Sequence, residues 1–333
     1  MKLSVQMKSI RLKAPFRVAF GTISGLEAVE VRVERDGVVG RGECCPMAIY
    51  DQTPHSVLAE IKAISPAVES GAVDRIGLQV AMPARSARNA LDCALWDLEA
   101  KLSGRSVWDL AGLDAPDAIP SDVTIGILTP DETVRAAEAC RDASMIKLKL
   151  GSEHDMECVR ALRSVLPAVP LFVDVNAGWS LERLNRLAPE LADTGVFMIE
   201  QPLPPGDDAL LDDYNRAVPL CADESCHDRT DLDRLFGRFD YINIKLDKTG
   251  GLTEALALAE AARLRGFRLM VGCMLGTGIA MVPAYILASL CEVVDLDAPL
   301  VVKERADAGV RHDGRSVQLF GPDLWGSRNG GRG

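Results

Sequence analysis

Five charged residues recur along the chain in steps of 22 to 26 residues, each at or next to the end of a short apolar run. They are Lys149, Asp174, Glu200, Asp223 and Lys245. The runs read MIKLKL, LFVDV, VFMIE, LCADE and YINIK, which are typical of buried β-strands. One strand, one helix and two loops occupy about 25 residues, so the spacing predicts consecutive βα units. A parallel barrel performs its chemistry at the C-terminal ends of its strands, where these residues would lie.

Three of the five residues are carboxylates that follow consecutive predicted strands. Neighbouring strand ends in a barrel point towards a common centre, so Asp174, Glu200 and Asp223 should lie close together. Three hard oxygen ligands without clustered His or Cys suit Mg²⁺. The alternative is that each carboxylate caps a helix or pairs on the surface, but three in step favour a metal site.

The lysines predict acid/base chemistry beside this metal. Lys147 and Lys149 form a K-x-K on one strand face, where each positive charge should lower the pKa of the other. Lys245 ends the sixth predicted strand, across the barrel from the second, so Lys149 and Lys245 could address opposite faces of a ligand. This arrangement predicts proton abstraction from the α-carbon of a metal-bound carboxylate, with two bases indicating racemisation or epimerisation. Two solvated lysines are the alternative, which fits apolar strand ends poorly.

The remaining sequence supplies the scaffold for these residues. Alternating apolar and polar residues around the turn signal Asp36-Gly37, followed by helical spacing, predict an α+β capping domain over residues 1–115. Eight strand candidates with helices between them predict a (β/α)₇β TIM-like barrel, an α/β fold, over 116–300. One of these helices is expected at 207–217. The segment 301–333 has the pattern of a hairpin and is predicted to pack back on the capping domain.

Composition limits the function classes. A net charge of −11 over 333 residues argues against nucleic-acid binding. The nine cysteines form no C-x-x-C pair, and early lysines interrupt any signal peptide, so we expect reduced thiols and a cytoplasmic location. Residues 269–291 carry no charge, but their glycines and central Pro283 favour a buried strand, loop and helix over a membrane span. We therefore expect neither a nucleic-acid nor a membrane partner.

Five short motifs surround the charged residues. They are KLK at 147–149, DVN at 174–176, EQPLP at 200–204, ADES at 222–225 and NIKLDKTGGLTEA at 243–255. Together they resemble the enolase superfamily, in its muconate lactonizing enzyme subgroup, over nearly the whole chain.

The resemblance implies a role for each residue of the predicted site. It implies that Asp174, Glu200 and Asp223 bind Mg²⁺, and that Lys149 and Lys245 are the two acid/base groups. Lys147 would tune Lys149. Asn176 and Glu224 would support the metal ligands.

The last predicted strand, VVDLDAPL, places Asp295 and Asp297 on one face. This D-x-D resembles that of dipeptide epimerases, in which it holds the α-ammonium group of the substrate. Two carboxylates favour a cationic amine, whereas the alternative is a strand-end cap. The segments VGCMLGTGI and ARNALDCALWDLEAK also resemble the L-Ala-D/L-Glu epimerase branch.

One loop departs from that branch. The resemblance implies an arginine that pairs with a glutamate side chain, but RVAFGTISGLE has Phe20 and Ile23 there, with Arg17 as the only nearby arginine. With Met47 and Ile49, these residues predict an apolar pocket for the second residue of the dipeptide. The acidic and the apolar interpretations both remain open. Thr124 and Met274 complete the predicted set of substrate-binding residues.

The resulting hypothesis is a Mg²⁺-dependent epimerase that acts at the α-carbon of the C-terminal residue of an L,L-dipeptide, through an enediolate. The alternatives are an o-succinylbenzoate synthase, an N-acylamino acid racemase or a muconate cycloisomerase, and a barrel that binds metal and ligand without catalysis. We also expect a homo-oligomer, and the resemblance implies a role in peptidoglycan peptide recycling.

Overall fold

The computed structural model describes residues 1–18, 21–303, 309–321 and 325. The chain begins with an antiparallel sheet of three strands in chain order, β1 Lys2–Val18, β2 Gly21–Arg35 and β3 Val38–Cys44. The β2 to β3 connection uses the predicted Asp36-Gly37 turn, in which both residues have positive φ angles of 54° and 77°.

Four α-helices and a short 3₁₀ helix, Ala48–Tyr50, complete this first part of the chain, which we call the capping unit (Lys2–Ala111). The α-helices are α1 Pro54–Ser70, α2 Leu78–Ala81, α3 Ser86–Ser103 and α4 Val107–Ala111. Helix α3 lies directly on β3, because Gly40 and Gly42 have no side chains. A Cβ at either glycine would come within 2.1 Å of a carbonyl oxygen of α3. The apolar side chains between sheet and helices form a hydrophobic core of their own.

Eight parallel strands follow the short strand β4 (Ile119–Pro120) and lie side by side in chain order. They are β5 Val123–Ile125, β6 Ile146–Lys149, β7 Leu171–Asp174, β8 Val196–Glu200, β9 Leu220–Ala222, β10 Tyr241–Ile244, β11 Arg268–Gly272 and β12 Val293–Asp295. At the seam between β5 and β12, the Asp122 amide donates to Val294 O at 3.1 Å. The predicted α/β fold, a (β/α)₇β barrel with an α+β capping unit, is confirmed.

The barrel helices are α5 Pro130–Ala139, α6 Asp155–Val165, α7 Leu181–Asp193, α8 Leu232–Leu235, α9 Leu246–Thr249, α10 Leu252–Leu264, α11 Gly278–Ala288 and α12 Ala298–Val301. The prediction of an α-helix at 207–217 is wrong. Pro205–Asp213 is a 3₁₀ helix whose buried residues, Asp208 and Leu211, are three apart, which is the 3₁₀ period. The uncharged segment 269–291 contains β11 and the buried helix α11, as expected. Of the helices in the described ranges, none has the length and hydropathy needed to cross a bilayer.

The C-terminal segment contacts both parts of the molecule. Lys303 N donates to Arg11 O at 2.9 Å, and Trp325 N donates to Asp97 Oδ1 at 2.6 Å, so two described residues of the segment contact the capping unit. The hairpin between them, β13 Gly309–His312 and β14 Ser316–Phe320, instead pairs with β4. The buried valines of the hairpin belong to the barrel core. Burial of this apolar face explains why the hairpin packs on the barrel and not on the capping unit.

Buried polar contacts join the capping unit to the barrel. Arg88 Nη2 donates to Thr249 O at 2.7 Å, and Cys45 N donates to Asp247 Oδ1 at 3.1 Å. Thr277 N donates to Glu43 Oε1 at 2.7 Å. These contacts hold the loop that follows β3 over the C-terminal ends of the barrel strands.

Candidate active site

A cavity opens at the C-terminal ends of the strands, beneath the capping unit, and most of the predicted site residues line it. They are Ile23, Met47, Thr124, Lys147, Lys149, Asn176, Asp223, Glu224, Lys245, Met274, Asp295 and Asp297. Asp174 and Glu200 lie behind this lining and are fully buried. The predicted Phe20 lies outside the described residues. The structure therefore brings together residues spread over nearly three hundred positions.

Strand register places the three predicted metal ligands side by side. Asp174 pairs with Glu200 across β7 and β8, and Glu200 pairs with Cys221, two residues before Asp223. Each carboxylate contacts a lysine in this structure. Lys147 Nζ lies 2.9 Å from Asp174 Oδ2 and 2.8 Å from Glu200 Oε2, and Lys245 Nζ donates to Asp223 Oδ2 at 2.6 Å.

These contacts correct one prediction about the K-x-K pair. Burial alone would lower the pKa of Lys147, but the charges of Asp174, Asp295 and Glu200 outweigh it and raise that pKa well above its ordinary value. The expected lowering of the Lys147 pKa by its neighbour is therefore wrong. The pKa of Lys245 is also raised, because Asp223 and Glu200 outweigh its burial. Both lysines are cations here.

Lys149, Asn176 and Glu224, the remaining predicted groups, form three further hydrogen bonds at the strand ends. Lys149 Nζ donates to Asp174 Oδ2 at 2.6 Å and to Asn176 Oδ1 at 2.8 Å, while Asn176 Nδ2 donates to Glu224 Oε1 at 3.1 Å. Asn176 has a positive φ of 44°, and such backbone strain concentrates at functional sites. Asn176 therefore connects one of the predicted bases to two carboxyl groups.

The D-x-D residues lie on the β12 side of the cavity, as predicted. Asp295 Oδ2 accepts a hydrogen bond from Lys147 Nζ at 2.7 Å, and Asp297 Oδ2 accepts one from Thr124 N at 2.7 Å. Burial, with the nearby charge of Asp295, raises the pKa of Asp297 to about 6. At neutral pH this side of the cavity is therefore negative and suited to a cationic group.

The donor set fits a divalent cation in kind. Six carboxyl groups and four lysines meet at the strand ends: Asp174, Glu200, Asp223, Glu224, Asp295, Asp297, Lys147, Lys149, Lys245 and Lys248. Burial and Asp174 raise the pKa of Glu200 to about 8. Its Oε2 has no hydrogen bond of good geometry within the described residues. An excess of buried acid is the environment that a bound cation stabilises.

The carboxylates are not arranged around an ion as they stand. Within the described part of the chain, no three His, Cys, Asp or Glu side chains form a ready metal site. Instead, lysine ammonium groups contact the oxygens of Asp174, Glu200 and Asp223. A bound ion would therefore exchange these lysine contacts for metal contacts.

Sequence reasoning missed two residues that hold Asp223. The buried Lys248 Nζ donates to Asp223 Oδ1 at 2.6 Å and to Asn243 O at 3.1 Å. Gln201 Oε1 accepts hydrogen bonds from Asp223 N at 2.9 Å and Ser225 N at 3.0 Å. Both lie inside the motifs NIKLDKTGGLTEA and EQPLP. Buried polar types within those motifs were the signal that could have found them.

The wall contributed by the capping unit is apolar. Ile23, Leu26, Met47 and Ile49 line it, and none of the described residues that line the cavity is an arginine. Tyr50, also missed, lines the cavity, and its ring is nearly perpendicular to that of His227, at 5.8 Å between centroids. This wall suits an apolar ligand group.

A parallel barrel with carboxylates and lysines at consecutive strand ends, beneath an α+β cap, defines the enolase type of fold. The chain belongs to the mandelate racemase and muconate lactonizing enzyme family of the enolase superfamily. Residues 1–112 match the N-terminal domain of that family, and 132–307 match the enolase C-terminal domain-like family. The predicted superfamily and subgroup are confirmed.

Particular relatives narrow the comparison. The chain is 45% identical over 290 residues to the L-Ala-D/L-Glu epimerase of Escherichia coli K12, covering 86% of this chain and 90% of the relative. An enolase family member from Agrobacterium tumefaciens with homology to dipeptide epimerases, with sodium and L-Ala-L-Glu bound, has a TM-score of 0.94 at 37% identity, covering 97% and 99% of the two chains. The dipeptide epimerase of Enterococcus faecalis, complexed with Mg and L-Leu-L-Tyr, has a TM-score of 0.89 at 27% identity, covering 98% of each chain.

Proposed function

We propose that this protein is a Mg²⁺-dependent dipeptide epimerase. The observation that carries the proposal is one cavity with a lysine at the C-terminal end of each of two opposite strands, β6 and β10, three buried carboxylates between them and a D-x-D at the side. The identity of 45% to an L-Ala-D/L-Glu epimerase supports the same activity class.

Asp174, Glu200 and Asp223 would hold the ion. Bound Mg²⁺ would supply positive charge beside the substrate carboxylate, where negative charge develops as the α-proton leaves. Mg in the structure of the Enterococcus faecalis relative supports this choice of metal.

The lysines move the proton. On one side of the cavity Lys149 takes the α-proton of the C-terminal residue, and on the other side Lys245, a cation in this structure, returns a proton to the opposite face. In the reverse direction the two lysines exchange roles. Lys147, held by three carboxylates, stays protonated and stabilises the enediolate by its charge.

Asp295 and Asp297 would bind the substrate ammonium group. This role separates the proposal from the cycloisomerase and synthase alternatives, whose substrates have no such group. We expect Asp297→Asn to raise KM at least about tenfold with little change in kcat, because a charge-assisted hydrogen bond is lost. Steady-state assays with L-Ala-L-Leu check this, and N-acetyl-L-Ala-L-Leu, which lacks the ammonium group, is the control ligand.

The apolar wall favours a dipeptide whose second residue is apolar. Ile23 and Met47 offer no charge to a glutamate side chain, although the curated relative from Escherichia coli acts on L-Ala-D/L-Glu. The L-Leu-L-Tyr complex of the Enterococcus faecalis relative supports apolar substrates within this fold. An acidic second residue remains the competing substrate class.

Deuterium exchange tests the function directly. The protein is incubated with Mg²⁺ and a set of L,L-dipeptides in D₂O, and mass spectrometry follows the gain of one deuteron. Exchange into L-Ala-L-Leu but not L-Ala-L-Glu supports the apolar class, and the reverse result supports the acidic class. No exchange with any dipeptide overturns the proposed function.

The specificity wall yields a gain-of-function prediction. Ile23→Arg should raise kcat/KM for L-Ala-L-Glu relative to L-Ala-L-Leu at least about tenfold, because an arginine there would pair with the glutamate carboxylate. Ile76→Arg is the matched control, since Ile76 is exposed and outside the cavity lining. An unchanged ratio in Ile23→Arg would remove this residue from the specificity wall.

Lys245 also depends on the absence of a neighbouring side chain. A Cβ at Gly272 would come within 2.7 Å of Asn243 Oδ1 and 2.9 Å of Lys245 Cε. We expect Gly272→Ala to lower kcat about 10²-fold by displacing the lysine. The control is Gly206→Ala, whose Cβ meets nothing within 4 Å and should leave kcat unchanged.

We also propose a cytoplasmic location and a homo-oligomeric state, whereas a role in peptidoglycan peptide recycling belongs to the competing acidic substrate class. All nine cysteines are free thiols, which supports a reducing compartment. Recycling requires activity on L-Ala-L-Glu, so the exchange assay above tests it. Light scattering in solution tests the oligomeric state.

A further inference from the structure

A buried carboxyl group that the proposed mechanism does not use lies at the seam of the barrel. Asp122 is 0% exposed, and neither oxygen of its side chain has a hydrogen-bond partner within the described residues. Its backbone is held on both sides. Asp122 N donates to Val294 O at 3.1 Å, and Asp122 O lies 2.9 Å from His312 Nε2. His312 Nδ1 accepts a hydrogen bond from Gly314 N at 2.9 Å, so Nε2 carries the hydrogen that bonds Asp122.

The charges around Asp122 are mostly negative. Asp295 and Asp297 lie on the β12 side and Glu200 lies on β8, and all three act electrostatically on Asp122. Lys147 on β6 is the cation that faces this group.

Neither basic neighbour is free to balance an ionised Asp122. The Lys147 ammonium group donates to Asp295 Oδ2 at 2.7 Å, and an ion held by Asp174, Glu200 and Asp223 would leave that contact in place. His312 on β13 is neutral, since burial lowers its pKa.

An ionised Asp122 would therefore be a buried charge without a partner, which is strongly unfavourable. Burial, together with Asp295 and Asp297, raises the pKa of Asp122 well above its ordinary value. A neutral carboxyl group also requires fewer hydrogen bonds than a carboxylate, in keeping with its unpartnered oxygens.

We propose that Asp122 carries a proton in the ligand-free protein and releases it to the buffer when a ligand ammonium group binds beside Asp295 and Asp297. The arriving positive charge engages these carboxylates and makes an ionised Asp122 acceptable, so the net charge of the buried site stays constant. Asp122 does not line the cavity and touches no ligand, which makes it a positioning residue for the amine site. The inference rests on the proposed dipeptide substrate.

The proton release has a definite sign. Because the bound state holds one proton fewer, binding strengthens as pH rises between the Asp122 pKa of the bound state and that of the free state. The carboxyl group of Asp122 forms no hydrogen bond with Asp174, Glu200 or Asp223 in the described structure, so it is distinct from the proposed metal ligands.

Titration calorimetry counts the released protons. Protein loaded with Mg²⁺ is titrated with L-Ala-L-Leu in two buffers of different ionisation enthalpy. We expect the wild type to release about one proton more per dipeptide than Asp122→Asn, which is isosteric with the protonated acid. N-acetyl-L-Ala-L-Leu should abolish the difference. As a matched variant, Asp92→Asn changes a buried acid that already accepts from Thr253 and Gln79, and should behave as wild type.

Infrared spectroscopy supplies a second measurement. Wild type loaded with Mg²⁺ should show a carbonyl band of a buried protonated carboxyl group that Asp122→Asn lacks, and that band should weaken when L-Ala-L-Leu binds. Absence of the band, or equal proton counts in wild type and Asp122→Asn, overturns this inference while dipeptide exchange stands. A protein that neither binds nor exchanges dipeptides overturns the proposed function as well.

Discussion

Replacing Lys245 by methionine should abolish epimerisation while exchange of the α-proton continues for one of the two epimers. Lys245 follows β10 and Lys149 ends β6, four strands apart in the eight-stranded sheet, which is why we propose that each lysine serves a different face of the α-carbon. A general base contributes about 10² to 10⁴ to the rate, and we expect kcat for epimerisation to fall by about 10³. Proton NMR of the L,L and L,D epimers in D₂O measures exchange and epimerisation separately.

The reciprocal variant is the control for this experiment. Lys149→Met should show exchange of the other epimer, and the double variant should show none. If Lys245→Met exchanged both epimers, a single base would serve both faces and the two-base mechanism would be rejected. Because methionine resembles lysine in size, packing around the side chain should be largely retained.

Asp223→Asn should cost the protein both metal binding and much of its stability. Asp223 accepts from Lys245 through one oxygen and from Lys248 through the other, at 2.6 Å in each case. Neutralising it leaves two buried ammonium groups without their carboxylate, which costs about 3 to 5 kcal/mol of unfolding free energy. We expect activity to fall at least about 10³-fold, since one of three proposed Mg²⁺ ligands is lost.

The stability effect has a defined pH dependence. Burial would raise the pKa of Asp223, but Lys245 and Lys248 outweigh it and hold that pKa below its ordinary value. The contribution of the carboxylate is therefore complete at neutral pH and is lost as pH falls through the lowered pKa. The stability difference between wild type and Asp223→Asn should accordingly shrink in acid.

Two measurements decide this prediction. Urea unfolding gives the stability change, and calorimetry with Mg²⁺, after removal of metal by EDTA, gives the binding. Asp212→Asn is the matched control, because Asp212 pairs with Arg238 on the surface and should alter neither quantity. Unchanged Mg²⁺ binding in Asp223→Asn would exclude Asp223 as a ligand.

The strand ends could be predicted from the sequence, whereas their electrostatics could not. Regular spacing of single charged residues after apolar runs locates Asp174, Glu200 and Lys245 at one edge of the barrel. The sequence also places Lys149 beside Lys147, which suggested a lowered pKa. The carboxylates that reverse this shift come from other strands, and Asp295 is 148 residues away from Lys147. Only the closed barrel brings them together.

Loop geometry is the second feature that could not be predicted from the sequence. Gln201, which binds the backbone of Asp223, has a positive φ of 34°. Residues other than glycine rarely adopt this backbone conformation. No periodicity signals such a residue, because its role depends on a turn and not on a helix or strand. The 3₁₀ helix at Pro205–Asp213 was missed for a related reason. Its buried residues are three positions apart, a spacing that also occurs in an α-helix.

The contacts that seat the capping unit have a consequence for the newly made chain. Glu43 bonds Thr277, Cys45 bonds Asp247 and Asp97 bonds Trp325, partners whose residue numbers differ by 234, 202 and 228. Residues at the start of the chain leave the ribosome long before these partners are translated. The capping unit can therefore pack over the cavity only after most of the polypeptide has emerged. Prematurely terminated products would contain catalytic strands but lack a complete pocket.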